Sequence, residues 1–422
     1  MGIAGKLSGN SPPVWASALV LSLFGAYGAN ADSSGSPGGI SIQLSSEAVV
    51  LNNSQRQAMG LLYGPPDGSL GVVSTGTGYM FFGAARSAPT CRGTPNTQGT
   101  YRLGGTLGQL NASYGCSALI QPGSDPNGYS FDKDYAGGGP VLPVTSASGQ
   151  HGLLHLYHGE WHGGTCKSSS CFYSSLGMAL STDGGASFTR LGEIIQPYPT
   201  RASVIASNRN LEISSGTLVI ADDKGQHIAN PASFDPARIY LYVFYSDQDP
   251  GNATSPCSRA SCLALARARL SEVVSAAFSG NTAAFPGLFQ KFYQGAFTQA
   301  GTSHDPDAAV ASGHYTAVIA DLGFFPSVIY DSAIGQFLIA YMKGHDAIVV
   351  RSASNLLNWS APIDSAGISQ TGYQFFYPTL VGEGGDPATG GSKPWLFYIK
   401  ATDWPHWSTA TYVSRNLSIS IQ

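Results

Sequence analysis

Charge is scarce in this chain. Only 11% of its 422 residues are Asp, Glu, Lys or Arg, and the formal net charge is −4. No basic stripe is present, which argues against nucleic acid or an anionic membrane as a partner. Long apolar runs are also missing after the first 31 residues. None approaches the roughly 18 unbroken apolar residues that a spanning helix needs, so a mature chain without a membrane anchor is expected. Lys and Glu, the usual fillers of exposed helices, are sparse, which argues against long helices. There is no P-loop, dinucleotide fingerprint, G-x-S-x-G elbow or H-E-x-x-H, which speaks against cofactor, esterase and zinc-protease readings.

What is abundant is glycine, 53 residues, together with Ser, Thr, Tyr and Phe. Between Gly137 and Pro197 the chain runs GPVLPV, then GLLHLYHGEW, then a short loop, then SSLGMALSTDGGASFTRLGEIIQP. Short apolar or alternating runs bounded by Gly, Ser, Asp or Pro read as consecutive antiparallel strands. Parts of the phrase return as FFPSVIYDSAIGQFLIAYM from Phe324 and FFYPTLVGEGGDPATGGSKPWLFYI from Phe375. A repeated four-stranded unit predicts an all-β fold, a β-propeller of five blades of four antiparallel strands, with six blades the alternative. The blades are expected at about residues 40–121, 130–197, 200–299, 319–368 and 372–422, within a single domain spanning 40–422. In the third, both RASVIAS and GTLVIADD qualify as inner strands.

Residues 1–31 read as a signal peptide: Lys6 gives the positive start, Val14 to Ala29 the apolar stretch, and Ala29-Asn30-Ala31 the cleavage pattern. Residues 32–39 form a flexible Ser/Gly-rich lead-in. Export to an extracellular or periplasmic space is therefore expected. The six cysteines agree: Cys91 with Cys116, Cys166 with Cys171, and Cys257 with Cys262 read as three local disulfides. The two C-x4-C pairs each fall between an aromatic-rich strand and an Ala/Leu strand, which strengthens the repeat. Zinc is the rival reading, but the spacing and the lack of His partners around Cys257 speak against it. From Ser181 to Phe188 the sequence STDGGASF fits the Asp-box pattern S-x-D-x-G-x-x-[FWY]. Its physics is that of a hairpin turn on the face opposite the site, with Asp183 accepting backbone N–H bonds and Phe188 packing beneath.

On PSVIYD from Pro326, the strand GQFLIAYM and RSASNLLNWSAPI from Arg351, the chain resembles secreted five-bladed propeller glycoside hydrolases of the arabinanase and β-xylosidase type, family 43 and its relatives. The Asp box also resembles that of sialidases. The resemblance implies an Asp base, a Glu acid and a further Asp tuning the acid, placed where inner strands begin around a central pocket. The first blade shows no clean Asp-Pro opening.

In a propeller, the loops joining the second strand to the third share a face with the starts of first strands. That rule makes Glu160 the candidate acid, Asp134 the base and Asp321 the tuning carboxylate, with Arg86, His158, Trp161, His162, Asp247, His345, Tyr377 and Trp404 as substrate-binding residues. On one strand His158, Glu160 and His162 share a face, neighbours about 6.6 Å apart, and a carboxylate there could have a raised pKa. Each candidate has a plainer alternative: a structural hydrogen-bonded Glu160, solvated loop aspartates at 134 and 321, and packing of the DWPHW segment at Trp404 that closes the last blade on the first. No metal site or cofactor is expected, although the acidic Asp305 and Asp307 leave room for a structural calcium, and an ion on the axis is compatible with the fold. The expected partner is carbohydrate, handled by a monomer. The expected function is a secreted glycoside hydrolase using paired carboxylates, and the alternative is a non-catalytic carbohydrate-binding propeller, a lectin or adhesion module.

Overall fold

The computed structural model describes residues 39–422 apart from 59–66, 86–98, 112–118, 124–125, 127, 129, 167–168, 250–260, 304–311, 385, 405 and 422. The signal-peptide segment, Arg86, Cys91, Cys116, Cys257, Asp305 and Asp307 therefore lie outside the described residues.

Five mainly antiparallel sheets form five blades. The first consists of Gly71–Ser74, Tyr79–Ala85, Gly99–Thr106 and Gln109–Asn111. The second begins with a broken inner strand, Tyr135–Gly137 and Val141–Thr145, and continues through His151–Cys166, Ser169–Ser181 and Thr189–Ile195. The third runs Ile213–Asp222, Ile239–Asp247, Cys262–Arg269 and Gln290–Tyr293, with Ala296–Ala300 added outside. The fourth runs Phe324–Asp331, Gln336–Lys343, Ala347–Ala353 and Ile368–Ser369. Gln374–Val381, Trp395–Ala401 and Thr411–Ile421 build the fifth.

The outer edge of that fifth blade comes from the other end of the domain. Ile40–Leu44 and Ala48–Leu51 both pair with Thr411–Ile421, the first in the register Ile40 opposite Ile421 through Leu44 opposite Leu417. The expectation that residue 40 opens the first blade is thus corrected: these strands pair with the last blade and close the ring. Five blades, not six, follow because RASVIAS folds as the helix Arg201–Ala206, capped by Thr200, and only Ile213–Asp222 serves as inner strand of the third blade.

Each gap between blades has its own apolar filling. Leu154, Leu176 and Val243 fill the second-to-third gap. Phe244, Leu265 and Ile339 fill the third-to-fourth, and Ile329, Leu338 and Leu396 the fourth-to-fifth. Phe81, Phe397 and Tyr412 fill the fifth-to-first gap, and Phe82, Val141 and Leu153 the first-to-second. Strands packed on both faces read as near-continuous apolar runs, as in LLHLYHG. Around the axis, the inner strands are stitched together where they begin: Leu70 N donates to Thr379 Oγ1 at 3.0 Å, Gly139 N to Ser69 O at 3.1 Å, and Leu380 N to Ser327 Oγ at 2.9 Å.

Candidate active site

Where inner strands begin, the backbone is kinked. Register slips fall between Ser214 and Thr217, Phe324 and Ser327, and Phe376 and Thr379, at matching places in the third, fourth and fifth blades. In two of them a bulky aromatic holds a left-handed backbone: Phe325 at φ 51° and Tyr377 at φ 53°. Such conformations cost about 1–3 kcal/mol each and bulges re-aim side chains, so the kink has a directional role. Tyr377 shows it: its hydroxyl donates to Asp67 Oδ1 at 2.7 Å, across the ring from the fifth blade to the first. Phe325 packs edge-on against Tyr377, ring centres 4.6 Å apart.

Asp67 is half-buried just before the first inner strand, and its Oδ2 takes no described hydrogen bond. Its backbone is held by donation from its N–H to Ala84 O at 2.7 Å. On the other side stands Gly138 at φ 74°, where an added Cβ would lie 2.8 Å from Asp67 O. Within the glycine run the demand at Gly138 is therefore close approach to Asp67. The buried Tyr135 hydroxyl faces Asp67 without meeting hydrogen-bond geometry, and burial, then Asp67 and Glu160, push it far above its ordinary pKa.

Glu212 is the third carboxyl of the cluster. It sits just before the third inner strand, between the buried Leu211 and Ile213, and Ser174 of the second blade donates to Ile213 O at 3.1 Å. Gln248 Nε2 donates to Glu212 Oε2 at 2.8 Å. Burial pushes the Glu212 carboxyl up to about 7; the Glu160 and Asp67 charges add to this, while His158 and Gln248 oppose it. The carboxyl is surrounded by protein although the residue keeps a partly exposed edge.

Glu160 has the opposite character. His158 Nε2 lies 3.2 Å from one of its oxygens and His162 Nε2 2.8 Å from the other, so the three residues do share one face. Burial raises its pKa, but the hydrogen bonds and charges of the two histidines outweigh that and hold it at about 2. Glu160 therefore stays ionised, the reverse of what an acid role needs. Gly159 lets Phe131 pack across the strand at this point, since a Cβ there would lie 2.5 Å from the ring. His158, 8% exposed, has its pKa lowered by burial but raised more by Glu160, to a net rise.

The other candidates divide. Asp134 Oδ2 accepts from the His162 backbone N–H at 2.7 Å, and its own N–H donates to Glu160 O at 3.0 Å, so it braces the histidine strand beside the cluster. Asp321 points outward, accepting from Tyr341 at 2.8 Å and pairing with Arg351; burial raises its pKa and these partners bring it below the ordinary value. Trp161 faces away from Glu160, packing with Tyr173, Val204 and Leu211 under the Arg201 guanidinium, 4.9 Å from the ring. Asp247 is fully buried and accepts from Asp249 N at 2.9 Å, and burial raises its pKa. His345 and Trp404 stack beside Phe376, next to Tyr377. Cys171 and Cys262 are buried, and no described cysteine is free.

Sequence reasoning missed Asp67 and Glu212. For Glu212 a signal existed, an acidic residue just before GTLVIADD, which reads as an inner strand; Asp67 precedes LGVVS, an inner strand that the sequence reading did not single out.

No family model and no curated protein matches the chain. Among solved structures it is similar to the catalytic domain of a GH62 α-L-arabinofuranosidase from Coprinopsis cinerea, at 10% identity and TM-score 0.44, covering 89% of this chain and 96% of that one. It is similar to an α-L-arabinofuranosidase from Podospora anserina in complex with cellotriose, at 9% identity and TM-score 0.42, covering 89% and 96%. A GH43 enzyme from Xanthomonas citri complexed with xylose gives 9% identity and TM-score 0.42 over 87% and 93%. Likeness this distant assigns nothing to this chain, and residue roles rest on the site itself.

Proposed function

We propose that this protein is a secreted glycoside hydrolase in which Glu212 is the general acid and Asp67 the base. One arrangement carries the reading: Glu212 is buried, which pushes its carboxyl up to about 7 although Gln248 donates to it, while Glu160 is hydrogen-bonded on its two oxygens by His158 and His162 and held at about 2. Carboxyls whose environments drive their pKa values apart mark acid and charged partner. Protonated Glu212 would give its proton to the glycosidic oxygen, and Asp67, oriented by Tyr377, would draw a proton from the attacking water. Glu160, fixed in charge by His158 and His162, helps keep the proton on Glu212. Asp134 and Asp321 become bracing groups in this reading. Among the described residues, none of Asp67, Glu160 and Glu212 is ion-paired with Lys or Arg, which favours a neutral sugar over an anionic one.

The test is release of reducing ends from arabinan, xylan and galactan. Glu212→Gln should lower kcat about 10²–10⁴-fold, the usual contribution of a general acid. Undiminished turnover would remove Glu212 from that role, and binding without any turnover by the native protein would favour the lectin alternative. Export with cleavage after Ala31 and the three local disulfides belong to the same proposal. Amino-terminal sequencing of the secreted protein should begin at Asp32.

A further inference from the structure

The loop from Thr402 to Thr409, between the second and third strands of the fifth blade, is pinned more tightly than a surface turn requires. Asp403 Oδ2 accepts from Ser408 N at 2.8 Å and from the Ser408 hydroxyl; Oδ1 accepts from Thr409 N at 3.1 Å and the Thr409 hydroxyl at 2.5 Å. His406 N adds a bond to Asp403 O at 2.8 Å. What the staple holds is a pair of half-buried tryptophans, and Trp407 takes a left-handed φ of 60°. A bulky residue in that region is strained, and such strain persists only where the surroundings impose it.

Both rings pack against the apolar filling between the fifth and first blades, so the segment does help join them, beside the strand pairing of Ile40–Leu44 and Ala48–Leu51. Trp407 packs on Phe376, ring centres 4.6 Å apart, and fills the fold. Trp404 lies nearly parallel to His345, centres 4.7 Å apart at 29°, and keeps part of its surface exposed. Phe376 adjoins Tyr377, whose hydroxyl reaches Asp67. A continuous aromatic ledge thus runs from the carboxyl cluster outward over the fourth and fifth blades. The charged groups along it are acidic: Asp67 at its inner end, Asp403 in the loop and Asp346 beside His345, whose pKa burial lowers.

We propose that Trp404, backed by His345, is a stacking subsite for a further sugar ring of a neutral polysaccharide whose adjoining unit lies in the axial pocket. The occupant follows from continuity with the cluster and from the acidic groups along the ledge, which disfavour an anionic polymer: a pyranose or furanose offers an apolar C–H face to a flat ring, and a linked chain reaching the pocket must pass over a neighbouring surface. The subsite rests on the hydrolase reading for the placement of that adjoining unit.

The experiment is affinity electrophoresis of the full protein in gels containing arabinan, xylan, galactan or polygalacturonate, carried out in the Glu212→Gln background so that turnover plays no part. Retardation is expected in at least one neutral polymer and not selectively in the anionic one. Trp404→Leu should weaken binding about tenfold, the scale of one aromatic stacking contact, and Trp404→Phe should restore most of it. Both variants keep the apolar bulk over His345, and equal melting temperatures would verify that they fold. Equal binding by Trp404→Leu, no retardation in any neutral polymer, or preference for polygalacturonate would each overturn the subsite. Full hydrolysis by Glu212→Gln alongside Trp404-dependent binding would instead sink the catalytic assignment and leave the subsite standing.

Discussion

A carboxyl with a folded pKa of about 7 gives up its proton as the solution crosses neutrality, and at Glu212 that loss has two consequences. The first is kinetic: kcat/KM should fall about tenfold for each pH unit above about 7, because only the protonated acid can serve the leaving oxygen. A pH profile of kcat/KM that stays flat to pH 9 would contradict the role. The second is thermodynamic. The folded pKa lies above the unfolded value of 4.5, so the group's contribution to stability is complete below 4.5 and is lost as pH rises through about 7. Glu212→Gln cannot ionise and should therefore gain several degrees in melting temperature over the native protein at pH 8, with the gain shrinking towards pH 5. At this scale the sequence was partly legible. That His158, Glu160 and His162 share a face follows from strand alternation alone. Which carboxyl keeps a proton does not follow from it, because Glu160 is set by two histidines and Glu212 by burial and by Asp67, which is 145 residues distant along the chain.

Local grammar was the most readable level. The turn from Ser181 to Phe188 behaves as its residues dictate: Asp183 Oδ1 accepts from Ala186 N and Ser187 N, both at 3.0 Å, and Phe188 meets Phe82 edge-on with ring centres 5.8 Å apart. Its acceptor bonds are local, so the information sits within eight residues. The RASVIAS segment failed as a strand because its apolar residues fit one turn of helix equally well, and Thr200 supplies the cap that decides the matter. Likewise the left-handed kinks at Phe325 and Tyr377 are invisible in composition, since an aromatic before proline reads as ordinary extended chain. Asp183→Ala should cost about 1–2 kcal/mol through the lost turn bonds, seen as a lower melting temperature. Because this turn lies at the opposite end of the blade from the carboxyl cluster, kcat/KM should not change; a comparable fall in both would mean the turn acts on the site.

Ring closure belongs to the whole molecule, and sequence alone left it unread because the pairing joins residues nearly the full domain apart, Ile40 with Ile421. Its electrostatic clasp is Glu47, between the two closing strands. The carboxylate accepts from Tyr398 at 2.7 Å, Arg415 at 2.9 Å and Lys400 at 3.0 Å. Burial raises its pKa, but these three donors outweigh that and hold it at about 2. The sign is therefore opposite to that of Glu212: the contribution is full above the unfolded value of 4.5 and disappears as pH falls through about 2. Glu47→Gln keeps the size of the side chain and removes the charge. It should melt several degrees below the native protein at pH 7, with the gap closing between pH 4.5 and 2. Since closure sets the spacing of all five inner strands, the same variant should also expose the amides of Ile40–Leu44 to faster hydrogen exchange. A pH-independent gap, or unchanged exchange in those strands, would show that apolar packing alone holds the ring shut.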